Sequence, residues 1–181
     1  MPTRRIELAR KNPAAAAAAA ITAVGAATIV GAWFFQYGLG VAPCPLCLEQ
    51  RIPYYGAIPL AALVAVAALR KASPLVVGGF GLIALVMLAS AALAVYHAGV
   101  EWHWWAGPQE CAGPIADFGS AQDLMKRLQT TRVVRCDEAP WRFLGLSLAG
   151  YNALISLALA ALAAWGMAAH GRPATKETRL I

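Results

Sequence analysis

Charged residues are scarce in this chain of 181 residues, and their scarcity excludes an ordinary soluble domain. Only 13% of the residues are charged and 60% are hydrophobic, whereas a soluble domain carries about 25% charged residues. A helix needs roughly 20 apolar residues to cross a bilayer. Four uncharged runs approach or exceed that length, at residues 14–35, 52–69, 74–96 and 143–169.

These runs predict an all-α membrane protein, a four-transmembrane-helix bundle that forms a single domain over residues 1–181. We place its spans at residues 14–35, 49–69, 74–96 and 143–169. Two outer loops follow from these bounds, at residues 36–48 and 97–142. No separate soluble domain is expected, because the only long polar stretch is the second of these loops.

The basic residues are divided between the two faces of the bundle, which argues against nucleic acid as the partner of a chain with net charge +6. Nine Lys and Arg residues lie on the face with both termini and the turn at Arg70–Lys71, and six lie on the face with the outer loops. The positive-inside rule therefore places both termini in the cytoplasm. The outer loops then face a compartment in which disulfides persist.

The chain has only four cysteines, and their spacing narrows the chemistry. Leu48, not histidine, follows the pair Cys44-Pro45-Leu46-Cys47, which excludes the motif for haem attachment. A structural zinc site would favour a second close pair, but 24 residues separate Cys111 from Cys136. We therefore expect no metal. Two interpretations remain open, namely two structural disulfides or redox-active thiols.

Arg51 favours the redox interpretation. It lies four residues after Cys47, so the two share one face if the second helix starts near that cysteine. Arginine is costly at a membrane boundary unless it has a function or reaches the headgroups. A guanidinium and a helix N-terminus beside the sulfur would both stabilise its thiolate, which is the reactive form. The competing interpretation is that Arg51 only anchors the helix at the headgroups.

Local signals refine the expected helices. Asn12-Pro13 and Ser73-Pro74 each place a capping residue before a proline. Pro53 and Pro59 predict a kink near the outer end of the second span, which would open space beside Cys47. In the second outer loop, apolar residues share one helical face and predict a short amphipathic helix, which could lie in the membrane interface or pack on the outer end of the bundle. They are Phe118, Ala121, Leu124, Met125 and Leu128.

Together these motifs resemble the DsbB family of bacterial inner-membrane disulfide-forming proteins. The likeness rests on the four spans, on Cys44-Pro45-Leu46-Cys47 with Arg51 one turn later, and on one cysteine pair in the second outer loop. It also rests on Tyr96-His97-Ala98-Gly99-Val100-Glu101, on Cys136, and on Trp141-Arg142-Phe143-Leu144-Gly145-Leu146-Ser147.

The resemblance implies a relay of electrons to ubiquinone or menaquinone. A DsbA-like periplasmic thiol oxidase would pass electrons to Cys111–Cys136, then to Cys44–Cys47, and finally to the membrane quinone pool. By the same likeness, Cys111 pairs with the soluble partner, Cys47 contacts the quinone and Arg51 polarises a quinone oxygen. The family also implies the bacterial inner membrane as the location.

Several assignments stay open from sequence alone. His97 could border the quinone site or be a histidine with no catalytic part. Trp102, Trp104 and Trp105 favour an aromatic belt over quinone stacking. Asn152 indicates a hydrogen bond between helices. A membrane redox protein that works in the reducing direction, and a scaffold with structural disulfides, are the alternatives to an oxidase.

The charge distribution makes a testable prediction of topology. Reporter fusions after residues 71 and 181 should report a cytoplasmic location, and a fusion near residue 115 should report a periplasmic one. A cytoplasmic signal at residue 115 would contradict the redox mechanism, because the cysteines would face a reducing compartment.

Overall fold

The computed structural model describes residues 12–70, 72–108 and 135–171. Four helices in it are long and apolar enough to cross a membrane, which confirms the predicted four-helix bundle. The first span is helix α1 followed by a π-helical segment, and the second is the short α2 followed by α3. In chain order the helical elements are α1 Pro13–Trp33, the π-helix Phe34–Gly38, α2 Pro45–Glu49, α3 Ile52–Leu69, α4 Ser73–Glu101 and α5 Leu148–His170.

The two predicted helix starts have different outcomes. Asn12 caps α1 by accepting from the Ala15 main-chain N–H at 3.1 Å, and its Nδ2 donates to the Ala68 carbonyl at the end of α3. The expectation of a similar cap at Ser73 is wrong, because Ser73 is already the first residue of α4. Its hydroxyl instead lies 2.9 Å from His170 Nε2 and joins α4 to α5.

The second span is interrupted near its outer end, as the prolines predict, but the break lies at Gln50–Arg51 rather than at a proline. Pro53 has no N–H to continue the hydrogen-bond ladder of α2, so the chain restarts as α3 at Ile52. Pro59 lies inside the continuous α3. Gln50 and Arg51 link the two helices with right-handed helical backbone angles.

The third span extends five residues beyond its predicted C-terminal end, and this brings polar residues into the bundle. Helix α4 continues from the predicted end at residue 96 to Glu101. His97 is therefore buried within the helix rather than at the start of a loop, and Glu101 is buried one turn later.

A small β-hairpin precedes the fourth span, and the expectation of a purely helical chain did not include it. Strand β1, Arg142–Phe143, pairs antiparallel with β2, Leu146–Ser147. Leu144 and Gly145 form the turn, and both have positive φ, 48° and 81°. The hairpin ends directly at Ser147, whose hydroxyl caps α5 by accepting from the Gly150 N–H.

The four spans form a closed ring in which α1 packs on α3, α3 on α4, α4 on α5 and α5 on α1. Small residues allow this packing at particular points: a Cβ on Gly166 would lie 2.6 Å from the Phe80 ring and 3.0 Å from Ala17. The largest buried side chains form the core, namely Ile21, Tyr54, Phe80, Ile83 and Met87. The amphipathic helix predicted within residues 118–129 lies outside the described residues.

Candidate functional site

The first cysteine pair begins the second span. Cys44 is the N-cap of α2, and its Sγ accepts from the Cys47 main-chain N–H at 3.2 Å. Pro45, the first helical residue, has no N–H to satisfy, so the sequence Cys-Pro suits this start. Both cysteines are free thiols, with their sulfurs 2.7 Å apart. The two sulfurs are thus placed to react with each other.

The environments of the two sulfurs differ. Cys44 is 3% exposed, whereas Cys47 is half-buried. The hydrogen bond with Cys47 and then burial raise the pKa of the Cys44 thiol above its ordinary value. Cys44 therefore stays protonated through the neutral range and ionises only at higher pH.

His97 connects this pair to the third span. Its Nε2 lies 3.6 Å from Cys44 Sγ, and the imidazole is 2% exposed. One turn later on α4, Glu101 Oε1 lies 3.9 Å from the same nitrogen. Glu101 is 4% exposed, and its Oε2 is the only buried side-chain N or O atom in the described part of the chain that lacks a hydrogen-bond partner.

The other side of the imidazole joins three helices. Gln50 Nε2 lies 2.6 Å from His97 Nδ1. Gln50 Oε1 accepts from Asn152 Nδ2 on α5 at 2.6 Å, and Asn152 Oδ1 accepts from the Tyr54 hydroxyl on α3 at 2.7 Å. Asn152 thus makes the interhelical hydrogen bonds that the sequence predicted.

An apolar cavity of about 270 Å³ adjoins the pair. Its volume is close to the lower end of small-molecule sites, about 300–1,000 Å³. Cys47, Arg51 and His97 contribute to its wall, and the Trp102–Trp105 cluster does not. Most of the wall is apolar and comes from α1, α5 and the loop between the first two spans, including Ile29, Ala32, Phe35, Val41, Ala42, Pro43, Leu148, Ala149 and Ile155.

Arg51 is held at this cavity by a residue that the sequence analysis did not single out. Its Nη1 donates to Gln36 Oε1 at 2.6 Å. Gln36 lies in the π-helical segment, where the wider winding changes the direction of side chains relative to α1. The guanidinium therefore has a protein partner at the wall of the cavity.

Cys136 reaches the first pair from the second outer loop. It is 1% exposed and disulfide-bonded, and it belongs to the same buried cluster as Cys44, Leu46 and Val100. Its main chain also forms a hydrogen bond with the His97 ring. Cys111, which the sequence pairs with Cys136, lies outside the described residues.

A metal ion is another conceivable ligand, because Cys44, Cys47 and His97 place three ligand atoms within 4.8 Å of one another. Such a set suits a soft ion such as Zn²⁺ when the thiols are reduced. A metal would need the lone pair of His97 Nε2. His97 Nδ1 is already in contact with Gln50, and Nε2 lies 3.6 Å from Cys44 Sγ and 3.9 Å from Glu101 Oε1, contacts that a metal ion would have to replace.

Known proteins similar to this chain include several that are described as disulfide bond formation proteins. The family model described as "Disulfide bond formation protein DsbB" matches residues 14–166. A Disulfide bond formation protein B from Polaromonas sp. (strain JS666) is 28% identical over 70% of this chain and 74% of its own length. A protein of that name from Verminephrobacter eiseniae is 30% identical over 74% and 77%. Another from Azoarcus sp. (strain BH72) is 30% identical over 81% and 87%. No solved structure gives a significant match.

The unequal environments of Cys44 and Cys47 predict unequal labelling. In the folded, reduced protein, Cys47 should react with a maleimide faster than Cys44, because Cys44 is buried and has a raised thiol pKa. The difference should narrow as the pH rises, since Cys44 gains thiolate only there. Fragment-ion mass spectrometry after short pulses measures both sites. Unfolded protein is the control, in which Cys44 and Cys47 should be labelled at equal rates. Faster labelling of Cys44 than of Cys47 in the folded protein would contradict the burial and the raised pKa of the Cys44 thiol.

Proposed function

Because this chain belongs to the DsbB family of disulfide bond formation proteins, we propose that it is a quinone-dependent thiol:disulfide oxidoreductase. Membership makes it a multi-pass membrane protein with a role in forming disulfide bonds. The finer proposal is that it reoxidises a soluble DsbA-like dithiol oxidase in the periplasm. The electrons would pass to ubiquinone or menaquinone in the inner membrane, and both termini would be cytoplasmic.

The apolar cavity beside Cys47 is the observation that carries the proposal. Its walls suit the ring of a quinone, since most of the lining side chains are apolar and Arg51 contributes a guanidinium as a hydrogen-bond donor. A bound quinone supplies a two-electron acceptor that also takes up two protons. Arg51 would donate to a quinone oxygen while Gln36 holds its guanidinium in place. The apolar wall would exclude water from the reacting sulfur.

The buried cluster of Cys44 and Cys136 supports the second step of the relay. Disulfide exchange requires a thiolate to reach a disulfide sulfur and form a mixed disulfide. We assign the exchange between the pairs to Cys44 and Cys136, because these two sulfurs share one buried environment. As the Cys44–Cys47 disulfide is reduced to two thiols, the Cys111–Cys136 pair is reoxidised to a disulfide.

The complete cycle then balances. The soluble dithiol loses two electrons and two protons and becomes a disulfide, and Cys111–Cys136 is reduced. Exchange passes the two electrons to Cys44–Cys47. Reoxidation of that pair releases two electrons and two protons, which convert one quinone to one quinol.

The two cysteine pairs should have separable roles, and this tests the route. With Cys136→Ser, a soluble partner that lacks its second active-site cysteine should accumulate in a covalent complex through Cys111, because nothing resolves the mixed disulfide. With Cys111→Ser much less complex should form. Non-reducing gels measure the complex.

Substituting either cysteine of the Cys44–Cys47 pair should give the complementary result. With Cys44→Ser or Cys47→Ser, one round of partner oxidation by the loop pair should survive while quinone reduction, followed by absorbance, stops. Sustained quinone-linked turnover in either variant would show that the electrons take another route. Absence of quinone reduction by the unaltered protein with a dithiol donor would contradict the proposed function itself.

Arg51→Ala should weaken quinone use without unfolding the bundle. The change removes one hydrogen bond from a charged donor, about 1.5–3 kcal/mol, which corresponds to roughly tenfold or more in quinone KM or turnover. Arg51→Lys should rescue only part of the loss, because lysine lacks the planar guanidinium. Gln36→Leu should reproduce part of it by releasing the guanidinium.

Arg70→Ala provides the matched control, since Arg70 follows the other end of α3 and lies far along the span from the cavity. It should leave quinone kinetics unchanged. Normal quinone kinetics in Arg51→Ala would reduce Arg51 to a membrane anchor.

A further inference from the structure

Gln50 is a buried polar residue that the proposed relay does not use. It is 6% exposed and lies at the break between α2 and α3. An unsatisfied amide would be costly within the bundle. Both ends of this amide are satisfied, one by Asn152 and the other by His97, each at 2.6 Å.

The hydrogen bonds that link Tyr54 to His97 through Asn152 and Gln50 all run in one direction, from donor to acceptor. The Tyr54 hydroxyl donates to Asn152 Oδ1, and Asn152 Nδ2 therefore faces Gln50 Oε1 and donates to it. Only the NH₂ group of Gln50 remains for His97. An NH₂ group can donate and cannot accept, so His97 Nδ1 must be the acceptor.

This direction determines the tautomer of the imidazole. A neutral ring carries one proton, and with Nδ1 accepting, the proton is on Nε2. Nε2 is the nitrogen that lies 3.6 Å from Cys44 Sγ and 3.9 Å from Glu101 Oε1. The ring thus carries an N–H, and not a lone pair, on the nitrogen nearest the sulfur and the carboxylate, and the Cys136 main chain also forms a hydrogen bond with this ring.

We propose that Gln50 is a positioning residue for the thiol chemistry, which together with Asn152 and Tyr54 fixes the tautomer of His97 so that Nε2–H faces Cys44. In this arrangement His97 stabilises the Cys44 thiolate as a hydrogen-bond donor. It does not accept the Cys44 proton at that nitrogen. The catalytic consequence rests on the proposed function, whereas the tautomer itself does not.

The tautomer can be measured by ¹⁵N NMR of the reduced, full-length protein in detergent micelles. The chain has three histidines, so His103→Asn and His170→Gln leave His97 as the only signal. His103 has a φ of 58°, which asparagine tolerates. At a pH where the ring is neutral, Nε2 should carry the proton and Nδ1 should not.

Gln50→Glu is the decisive variant. A carboxylate only accepts, so the proton should appear on Nδ1. Glu49→Gln is the matched control, because Glu49 is the exposed neighbour on the same helix and should leave both signals unchanged. A protonated Nδ1 in the parent would mean that both amides run in the opposite direction and would overturn the proposal. An Nδ1 signal that does not respond to Gln50→Glu would overturn it as well.

The effect on the sulfur gives a second, independent measurement. In a protein whose other three cysteines are serine, Gln50→Leu should slow alkylation of Cys44 at neutral pH by about tenfold, the factor expected for losing one hydrogen bond to a charged group. Asn152→Ala should slow it less, since Gln50 remains. An unchanged rate in Gln50→Leu would overturn the positioning role. Failure of quinone reduction in the unaltered protein would instead affect only the proposed function and leave both measurements valid.

Discussion

The need to satisfy polar groups inside a lipid-embedded bundle shapes this structure more than any single apolar contact. Water is not available there, so each buried amide, hydroxyl and imidazole must find a protein partner. Gln50 meets this need by bonding α4 through His97 and α5 through Asn152. The same bonds bring the start of the second span against the third and fourth. The hydrogen bonds that hold the helices together therefore also fix the position of the cysteine pair.

The site has two sides with different physical character. Toward α4 lie three buried titratable groups, Cys44, His97 and Glu101. Toward α1 lies an apolar cavity with Cys47 and Arg51 in its wall. In the proposed relay, a dithiol that releases protons and delivers electrons to a hydrophobic acceptor would benefit from this separation. The different exposure of the two sulfurs follows directly from it.

The sequence predicted the four spans because a charge-free run of about 20 residues matches the thickness of a bilayer and is too apolar for a helix at a soluble surface. It also predicted that Cys44, Cys47 and Arg51 belong together, from their spacing and from a family resemblance, and it left open whether His97 borders the same site. It did not predict Gln50 or Gln36, because a glutamine near a span boundary is ordinarily solvated, and only tertiary packing buries or orients it. The sequence did contain one signal for Gln50, because this polar residue directly precedes Arg51 at the start of an apolar span. The extension of α4 to Glu101 was missed for a related reason, since polar residues there suggest a loop unless their buried partners are known.

The local structure at Cys44 also bears on whether its disulfide has a structural purpose. A disulfide stabilises mainly by closing a long loop in the unfolded chain, and Cys44 and Cys47 enclose only two residues. The start of α2 is already held without a covalent bond, because Cys44 Sγ caps the Cys47 N–H and Pro45 fixes the first helical residue. The start of α2 therefore does not depend on the bond for its stability. A pair whose covalent state is nearly independent of the surrounding structure is suited to cycling, and this favours a redox role for Cys44–Cys47 over a structural one.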